Sequence, residues 1–355
     1  MPAISVDTFF ACSLMVLLVL SAMATTSKLL YPHINNTVNN SIAEKYKEIS
    51  TYLLLNDGTL SNWGQNSQKI PETFGLAKAD SDNPYELDID KVSRLNSENL
   101  YAISYAQIFT ALKMSDISFS IEIKPIFEVA INLTATYAFP NETIYEFQIL
   151  TEKHGVPVRA ELKFYVVAEN YLETSYVHVS DGRIYLNITL SNDVNGPALL
   201  VTFAKAICNA KIMSFGVYAF AHNSVEPKQK GTFLRLSPLN YTLNASLVYS
   251  GINLSKAYAL TINYNSTLAQ TSSSNQSITY NLSHFLDSSP TLIVVTGWNS
   301  TVFFTEWAAY PQIPLRTGVN FEGLTTLSNV FANTYIVTIN LALYECTVWV
   351  GGPEE

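Results

Sequence analysis

Charge and cysteine are scarce in this chain, and the sequence motifs of common enzyme families are absent. Only 14% of the 355 residues are charged, three are cysteine, and lysine and arginine form no cluster. The net charge of −9 argues against binding to the phosphates of nucleic acid. Zinc-protease, nucleophile-elbow, phosphate-loop and dinucleotide motifs are all missing. We therefore predict a protein that is not an enzyme, needs no cofactor and has no nucleic-acid partner.

Two sets of titratable residues are candidates for a metal or catalytic site. The five histidines have no ligand spacing and are predicted to lie at the surface or in turns: His33, His154, His178, His222 and His284. The segment Leu87–Asn96 contains two acids followed by two bases: Asp88, Asp90, Lys91 and Arg94. This order is typical of a solvated helix whose first-turn acids face the positive pole. The patterns therefore favour no catalytic residue and no metal ligand.

The three cysteines leave the redox chemistry open. Cys12 lies in an apolar N-terminal segment, and Cys208 and Cys346 lie in β-rich segments. A disulfide is permitted in an exported protein. The sequence is compatible with a bridge between Cys208 and Cys346 and equally with two buried thiols.

A long apolar run occupies the N-terminus. From Ala3 to Thr26 the residues are almost all apolar, and the only charged residue is Asp7. About 20 apolar residues suffice for one helical crossing of a bilayer, against about 7–15 in a signal-peptide core. We expect a retained transmembrane helix over residues 1–27, with the lipid bilayer as its partner. A membrane carboxylate costs about 2.5–3.5 kcal/mol on insertion scales, so Asp7 either has a partner or lies among the lipid head groups.

Twelve Asn-X-Ser/Thr sequons indicate an exported chain with N-linked glycans. They begin at Asn35, Asn39, Asn132, Asn141, Asn187, Asn240, Asn244, Asn253, Asn265, Asn275, Asn281 and Asn299. Asn187 lies between Leu186 and Ile188 of an alternating strand, and Asn244 and Asn281 are placed likewise, so glycans on these three are expected to face water. The alternative is an asparagine-rich sheet surface with accidental sequons. The sequons belong on the translocated side, which predicts a single-pass protein of the cell membrane with its N-terminus inside and its body outside the cell.

The remaining periodicity predicts an α+β fold, in which a transmembrane and stem helix precedes a mainly antiparallel β ectodomain. Apolar spacings of three and four predict a stem helix over residues 34–55, and a second helix is predicted over Ser104–Lys113. Alternation places Phe119, Ile121 and Ile123 on one face of a strand. Further strands are predicted at Glu161–Val167, Arg183–Leu190, Gly196–Ala204 and Tyr335–Tyr344.

The run Ala3-Ile4-Ser5-Val6-Asp7, followed at once by an apolar helix, resembles the start of mature archaeal type IV pilin-like proteins. The segments Leu53–Gly64, Pro71–Ala77 and Leu87–Asn96 also resemble a pattern found in such proteins. The resemblance implies that Ser5, Asp7 and Pro32 serve assembly. Asp7 would pair with the α-amino group of a neighbouring subunit, and Pro32 would bend the helix where it leaves the bilayer.

The segment Ala130–Asn223 resembles the immunoglobulin-like sandwich modules of bacterial and archaeal surface proteins. The resemblance rests on a Gly-x-Pro-Val turn after His154 and an Asp-Gly hairpin at Asp181. No Cys-Trp-Cys core is present, so an antibody-type domain is excluded. The resemblance implies a fold and not a function.

These observations predict four segments. They are a transmembrane helix (1–27), a helical stem with a pilin-like body (28–128), an Ig-like sandwich (129–226) and a C-terminal β-domain (227–355). The strand Tyr335–Tyr344 is expected to pair with Ser118–Lys124, which makes the sandwich an insertion into the pilin-like body.

Three classes of function remain. The first is a non-enzymatic minor or accessory subunit of a type IV pilus-like assembly, with other pilin-like subunits as partners. The second is a permanently membrane-anchored envelope protein that uses its β-modules for adhesion to an extracellular protein or glycan, or for contact with the cell wall. The third, an exported enzyme, has the least support. Within the first class, the length of the chain and its inserted module favour a minor or accessory subunit over a major repeating subunit.

Overall fold

The computed structural model describes residues 15, 18–23, 25, 26, 28, 42–114, 117–284, 290–321 and 330–352, without the side chains of residues 177–179. The chain divides into two compact units, Met1–Thr51 and Tyr52–Glu355. Between residues 15 and 28 the described residues are helical. No helix within the described residues combines the length and apolarity that a bilayer crossing requires. Ser5, Asp7 and Pro32 lie outside the described residues, as does most of the predicted transmembrane helix.

Three α-helices lie among the described residues between 42 and 112. They are α1 (residues 42–55), α2 (Ile89–Ser93) and α3 (Tyr105–Leu112). In α1 the buried Tyr46, Ile49 and Leu53 recur at spacings of three and four, which confirms the predicted helix over these residues. A capping box formed by Ser104 and Gln107 begins α3. The second predicted helix is therefore confirmed.

Twenty-one strands make up most of the described chain beyond the helices. In chain order they are β1 (Glu86–Leu87), β2 (Ser118–Pro125), β3 (Glu128–Ala138), β4 (Glu142–Lys153), β5 (Val156–Pro157), β6 (Ala160–Ala168), β7 (Tyr171–Ser180), β8 (Arg183–Ser191), β9 (Ala198–Ala206), β10 (Met213–Phe220), β11 (Leu234–Leu239), β12 (Thr242–Leu247), β13 (Ile252–Leu260), β14 (Asn265–Thr267), β15 (Ala269–Ser273), β16 (Ser277–Asn281), β17 (Thr291–Asn299), β18 (Val302–Tyr310), β19 (Leu315–Gly318), β20 (Val330–Ile339) and β21 (Ala342–Gly351). Among the described strands every pairing is antiparallel except that of β1 with β20. The predicted mainly antiparallel β-structure is confirmed.

A five-stranded sheet, which we call the base sheet, joins the two ends of the β-structure in the order β1-β20-β21-β2-β19. Its strand β2 buries Phe119, Ile121 and Ile123, as the alternation predicted. The chain leaves this sheet after β2 and returns to it at β19. We refer to the base sheet together with α2, α3 and residues 56–103 as the base.

The predicted single strand Tyr335–Tyr344 is in fact a hairpin. Asn340 and Leu341 have positive φ angles of 44° and 71°, and this left-handed backbone allows a tight turn between β20 and β21. The partner of β2 is therefore β21, in a register that places Ile121 opposite Val348. The C-terminal part of the chain does return to pair with Ser118–Lys124, as expected, but through the second strand of the hairpin, β21, and not through β20.

Strands β3 to β10 form a two-sheet sandwich, module 1. One sheet has the order β10-β9-β6-β7, and in the other β4 pairs with β3, β5 and β8. Side chains from both sheets share one core, including Phe147, Phe164, Leu190 and Leu200. The predicted strands over β6, β8 and β9 are confirmed.

The predicted hairpin at Asp181-Gly182 is wrong. Strand β7 pairs with β6 in one sheet, whereas β8 pairs with β4 in the other. The turn therefore carries the chain from one sheet of module 1 to the other. Gly182 has a φ of +100°, and a Cβ there would lie 2.3 Å from the Cβ of Pro157, which explains the glycine.

Strands β11 to β18 form a second sandwich, module 2. Its sheets have the orders β11-β12-β16-β15 and β14-β13-β17-β18, and its strands are arranged as in module 1 with β15 added at an edge. Leu243, Ala259, Ile293 and Phe304 from both sheets meet in its core. The single predicted C-terminal domain, 227–355, is thus divided between module 2 and the base sheet.

The two modules pack together through the sheets that contain β6 and β13. A third buried cluster, the apolar joint, consists of Tyr165, Val167, Leu199, Val201, Phe203 and Met213 of module 1 with Tyr258, Leu260, Ile262, Leu292, Val294 and Ala309 of module 2. The central strands β6, β9, β13 and β17 are therefore covered by apolar side chains on both faces.

Candidate functional site

The charged residues of α2 and of its two capping positions lie in the protein interior. Asp88, Asp90, Lys91 and Arg94 are 9%, 1%, 0% and 2% exposed, so the predicted solvated helix is wrong. Asp88 does lie at the positive pole of the helix, where its carboxylate accepts hydrogen bonds from the backbone N–H groups of Asp90 and Lys91. The helix is buried because Ile89 packs against the core of module 2, which the local pattern does not reveal.

The two basic side chains, Lys91 and Arg94, donate hydrogen bonds to backbone carbonyls. The Lys91 ammonium donates to the carbonyls of Asp57 at 2.9 Å and Ala77 at 2.7 Å. The Arg94 guanidinium donates to the carbonyls of Trp63, Asn66 and Tyr101. Burial lowers the pKa of Lys91. Both cations hold the loops between α1 and α3 in place and are not available to a ligand.

Asp90 connects the base to module 2. Its Oδ1 accepts hydrogen bonds from the Tyr310 hydroxyl and from the backbone N–H of Asn240, both at 2.7 Å. Burial raises the pKa of Asp90 to about 6, although these hydrogen bonds oppose the shift. Burial likewise raises the pKa of Tyr310. Because both donors belong to module 2, these hydrogen bonds position module 2 relative to the base.

Further hydrogen bonds extend this contact, which we call the polar joint. The Asn99 amide donates to the Pro238 carbonyl at 3.2 Å and to Gln312 Oε1 at 2.6 Å. Others run from the Leu100 N–H to Ser237 Oγ, from the Asn96 amide to the Gln312 carbonyl and from the Asn244 amide to the Tyr101 hydroxyl. Together these contacts fix the orientation of module 2 on the base.

A cleft of about 500 Å³ opens beside the polar joint, where the base and both modules meet. Glu98 lines it from the base, Phe215 from module 1 and Trp307 from module 2. Lys230 lies with its Nζ 4.3 Å from the centre of the Trp307 ring and 2.7 Å from Glu98. Half-buried aromatic rings beside a paired acid and base can contact a ligand with both apolar and polar surfaces.

The structure brings together no metal site among the described residues, since no group of three or more His, Cys, Asp or Glu side chains could hold an ion there. Of the two positions predicted for the histidines, surface or turn, His222 does not take the first, since it is 1% exposed in the bend that follows β10. Its ring contacts the Tyr145 hydroxyl and the Ser191 carbonyl at 2.9 and 3.0 Å, so it links strands within module 1.

The bridge between Cys208 and Cys346 is not formed. Both residues are free thiols, with Cys208 exposed and Cys346 buried in β21. Burial raises the pKa of Cys346 to about 12, so this thiol is unreactive at neutral pH.

None of the ten described sequon asparagines is buried. Asn244 and Asn299 are half-buried, and eight are exposed: Asn132, Asn141, Asn187, Asn240, Asn253, Asn265, Asn275 and Asn281. Asn35 and Asn39 lie outside the described residues. At these eight positions the asparagine side chain is accessible to a glycan.

Comparison with known proteins identifies no family. No family model and no curated protein matches the sequence. The solved structures that are weakly similar include TarS of S. aureus (9% identity over 44% of this chain, TM-score 0.15) and HBP35 of Porphyromonas gingivalis (13% identity over 55% of this chain, TM-score 0.18). The aligned regions span 36% and 64% of those two chains.

Proposed function

We propose that this chain is a non-enzymatic cell-surface protein that acts as a minor or accessory subunit of a type IV pilus-like assembly. The helical N-terminal segment is the part that would pack among neighbouring subunits, and the two modules would face outward. The observation that carries the proposal is the exposure of apolar side chains on the described helical residues of the first unit. Met15, Leu18, Leu20 and Met23 are between 58% and 70% exposed. Apolar surface of this kind is normally covered by lipid or by another protein.

The outward part is proposed to consist of two Ig-like domains. In module 1 the sheets β3-β4-β8 and β10-β9-β6-β7 follow the order of Ig strands A-B-E and G-F-C-C′. Module 2 repeats the plan, with β15 in the position of strand D. The apolar joint supports presentation of the pair as one rigid head, because its area is removed from water only while the modules stay together.

Asp7 provides the test of assembly. In a filament its carboxylate would pair with the N-terminal amine of a neighbouring subunit, and Asp7→Asn removes that charge with little change in size. Membrane insertion should survive because the helix loses a charge. We expect Asp7→Asn to leave the amount of membrane-bound protein unchanged and to abolish its incorporation into surface filaments.

Asp7→Glu is the matched control, since it keeps the charge and should keep incorporation. Immunogold labelling of surface filaments and carbonate extraction of membranes measure the two properties separately. Normal incorporation of the Asp7→Asn variant, or the absence of this protein from every filament, would overturn the pilus-like proposal.

The second candidate is a permanently anchored envelope protein that adheres to an extracellular protein or glycan. The cleft at the meeting of the base and both modules favours it, because binding clefts commonly form where domains meet. Trp307→Ala should then reduce attachment of intact cells to surfaces while membrane levels stay normal. Val302→Ala, an exposed change on the same strand, is the control. Unchanged attachment with Trp307→Ala would count against a role for the cleft.

A further inference from the structure

Module 2 is almost free of charge. Between Arg235 and Glu306 the only Asp, Glu, Lys or Arg residues are Lys256 and Asp287, yet this stretch contains seven of the twelve sequons. Residues 128–226, which cover module 1, contain 16 charged residues and three sequons. Surface charge keeps a folded domain soluble and separate from its neighbours. The surface of module 2 is therefore rich in sequons and poor in charged residues, whereas that of module 1 is the reverse.

The uncharged surface of module 2 includes an open sheet edge. Strand β15 forms the edge of its sheet and pairs, among the described strands, with β16 alone. All five of its residues are exposed, and none is charged or proline. Among the described residues, the only feature that disrupts this edge is an irregular register between Gln270 and Ser272. Such an edge can pair with a strand of another chain unless charge, proline or bulk blocks it.

Two exposed sequons lie at the ends of β15, and a third lies on the preceding strand, β14. Asn275 lies in the turn that connects β15 to β16, at one end of the edge strand. Asn281 pairs with Ala269, the first residue of β15, at the other end. Asn265 is also exposed and lies on β14 of the facing sheet, four residues before Ala269. A bulky, hydrated group on these asparagines would stand at both ends of the open edge.

We propose that N-linked glycans at Asn265, Asn275 and Asn281 replace surface charge on module 2 and shield the edge strand β15 from pairing with another chain. The donor is an oligosaccharide linked through phosphate to a membrane lipid. The asparagine Nδ2 attacks the anomeric carbon C1, and the C1–Nδ2 bond forms as the C1–O bond to phosphate breaks. The lipid phosphate leaves with the electron pair, and Nδ2 loses one proton.

Asn244 is an internal control within the same module. Its Nδ2 donates to the Tyr101 hydroxyl at 3.1 Å, and its Oδ1 accepts from Ser246 at 2.9 Å. A glycan on this nitrogen would stand between module 2 and the base. The geometry therefore assigns no glycan to Asn244, although its sequon is intact.

The inference rests on the proposed cell-surface location, because glycans of this type are added on the translocated side. The first test is mass spectrometry of glycopeptides from protein purified from the cells that make it. We expect glycans on Asn265, Asn275 and Asn281 and an unmodified Asn244. Glycans restricted to module 1 would overturn the inference while leaving the surface location intact. A protein that fractionates with the cytosol would overturn the proposed function and this inference together.

The second test is self-association of the purified protein. The triple variant Asn265→Gln, Asn275→Gln and Asn281→Gln should lose its monomer peak in size-exclusion chromatography with light scattering. The matched triple variant Asn132→Gln, Asn141→Gln and Asn187→Gln should stay monomeric, because the charges of module 1 remain. Adding Ser272→Lys to the first triple variant should restore the monomer by placing a charge on β15.

Thermal unfolding separates association from misfolding. The first triple variant should keep the unfolding midpoint of the deglycosylated wild type at high dilution, because its changes are confined to exposed side chains. Persistence of the monomer in that variant would overturn the shielding role. Failure of Ser272→Lys to restore the monomer would do the same, since association would then not depend on the β15 edge.

Discussion

Module 2 is held on two sides by contacts of opposite character. Towards module 1 it presents the apolar joint, in which the twelve buried side chains are almost all hydrocarbon or aromatic. Towards the base it presents the polar joint, in which the Asp90 carboxylate accepts two hydrogen bonds and the Asn99 amide donates two. The same sandwich therefore uses burial on one side and directed hydrogen bonds on the other.

The two joints contribute differently to the stability of the protein and to the orientation of its modules. Apolar burial is non-directional, so the apolar joint can contribute a large free energy without specifying one angle between the modules. Buried hydrogen bonds contribute less in net terms but are costly when misaligned. We interpret the apolar joint as the main stabilising contact and the polar joint as the contact that orients the modules on the base.

The largest effect is expected at the apolar joint. Leu292 is fully buried there, and Leu292→Ala should lower the free energy of unfolding by about 2–5 kcal/mol because it leaves a cavity. Denaturant unfolding measures the loss. Val248→Ala, at a side chain that is 49% exposed, should change the same quantity by less than about 0.5 kcal/mol. Equal effects of the two variants would contradict the importance of this joint.

The pH dependence of stability comes next. Burial raises the pKa of Asp90 to about 6, above its unfolded value of about 3.9. Between about pH 4 and pH 6 the Asp90 carboxyl is therefore protonated in the folded state and ionised in the unfolded state. The free energy of unfolding that Asp90 contributes is greatest below about pH 4 and is lost as the pH rises to about 6. The total change is about 3 kcal/mol, at about 1.4 kcal/mol per pH unit. The charged neighbours Asp88 and Arg94 act in opposite directions on this pKa.

Urea unfolding of wild type and Asp90→Asn between pH 4 and 7 isolates this contribution. Asn keeps an acceptor at Oδ1 but does not titrate, so its stability relative to wild type should rise with pH. Burial also raises the pKa of Glu306, and that contribution cancels in the difference. A difference that stays constant with pH would mean that Asp90 titrates equally in both states.

A smaller loss is expected from Tyr310→Phe. The change removes the hydroxyl that donates to Asp90 and leaves the Asn240 N–H in place. We expect a loss of about 1.5 kcal/mol, which is typical of a hydrogen bond to a charged acceptor. Tyr137→Phe is the control, because Tyr137 is 51% exposed. If both variants unfolded at the same denaturant concentration, the hydroxyl would not contribute to the polar joint.

The smallest effect is expected at the rim of the cleft. The Lys230–Glu98 ion pair has a nitrogen–oxygen distance of 2.7 Å, and its side chains are 33% and 60% exposed. Glu98→Gln should cost less than about 1 kcal/mol, because water and salt screen such pairs. The difference from wild type should shrink further in about 1 M NaCl. A loss that persists in high salt would show that the pair is more strongly shielded from solvent than its exposure indicates.

Local elements of the fold were predictable because their signals are local. The helix α3 is capped at Ser104, the residue predicted as its start, and the alternation of Phe119, Ile121 and Ile123 placed β2 and its buried face. The hairpin between β20 and β21 was missed because Asn340-Leu341 is not a favoured turn pair, and alternating apolar residues continue through it. A left-handed Leu is uncommon and cannot be anticipated from the pattern.

The larger arrangement has weaker signals in the sequence. The run Leu292-Ile-Val-Val295 consists of apolar residues without alternation, which indicates a strand buried on both faces. The run does not indicate which part of the chain covers the second face of this strand. Module 1 covers that face with side chains of β6 and β9, which lie far earlier in the chain.

By itself the sequence determined the antiparallel β character, the amphipathic α1 and the outward face of Asn187, because each depends on a repeat within a few neighbouring residues. Tertiary structure alone decided that module 2 is a second sandwich, that the charges of α2 are buried and that Cys208 and Cys346 remain apart. Burial of Asp90 depends on Tyr310, which is 220 residues away in the chain. The physical reason is that the cost of burying a charge is set by the groups that surround it in space, and these come from distant parts of the chain.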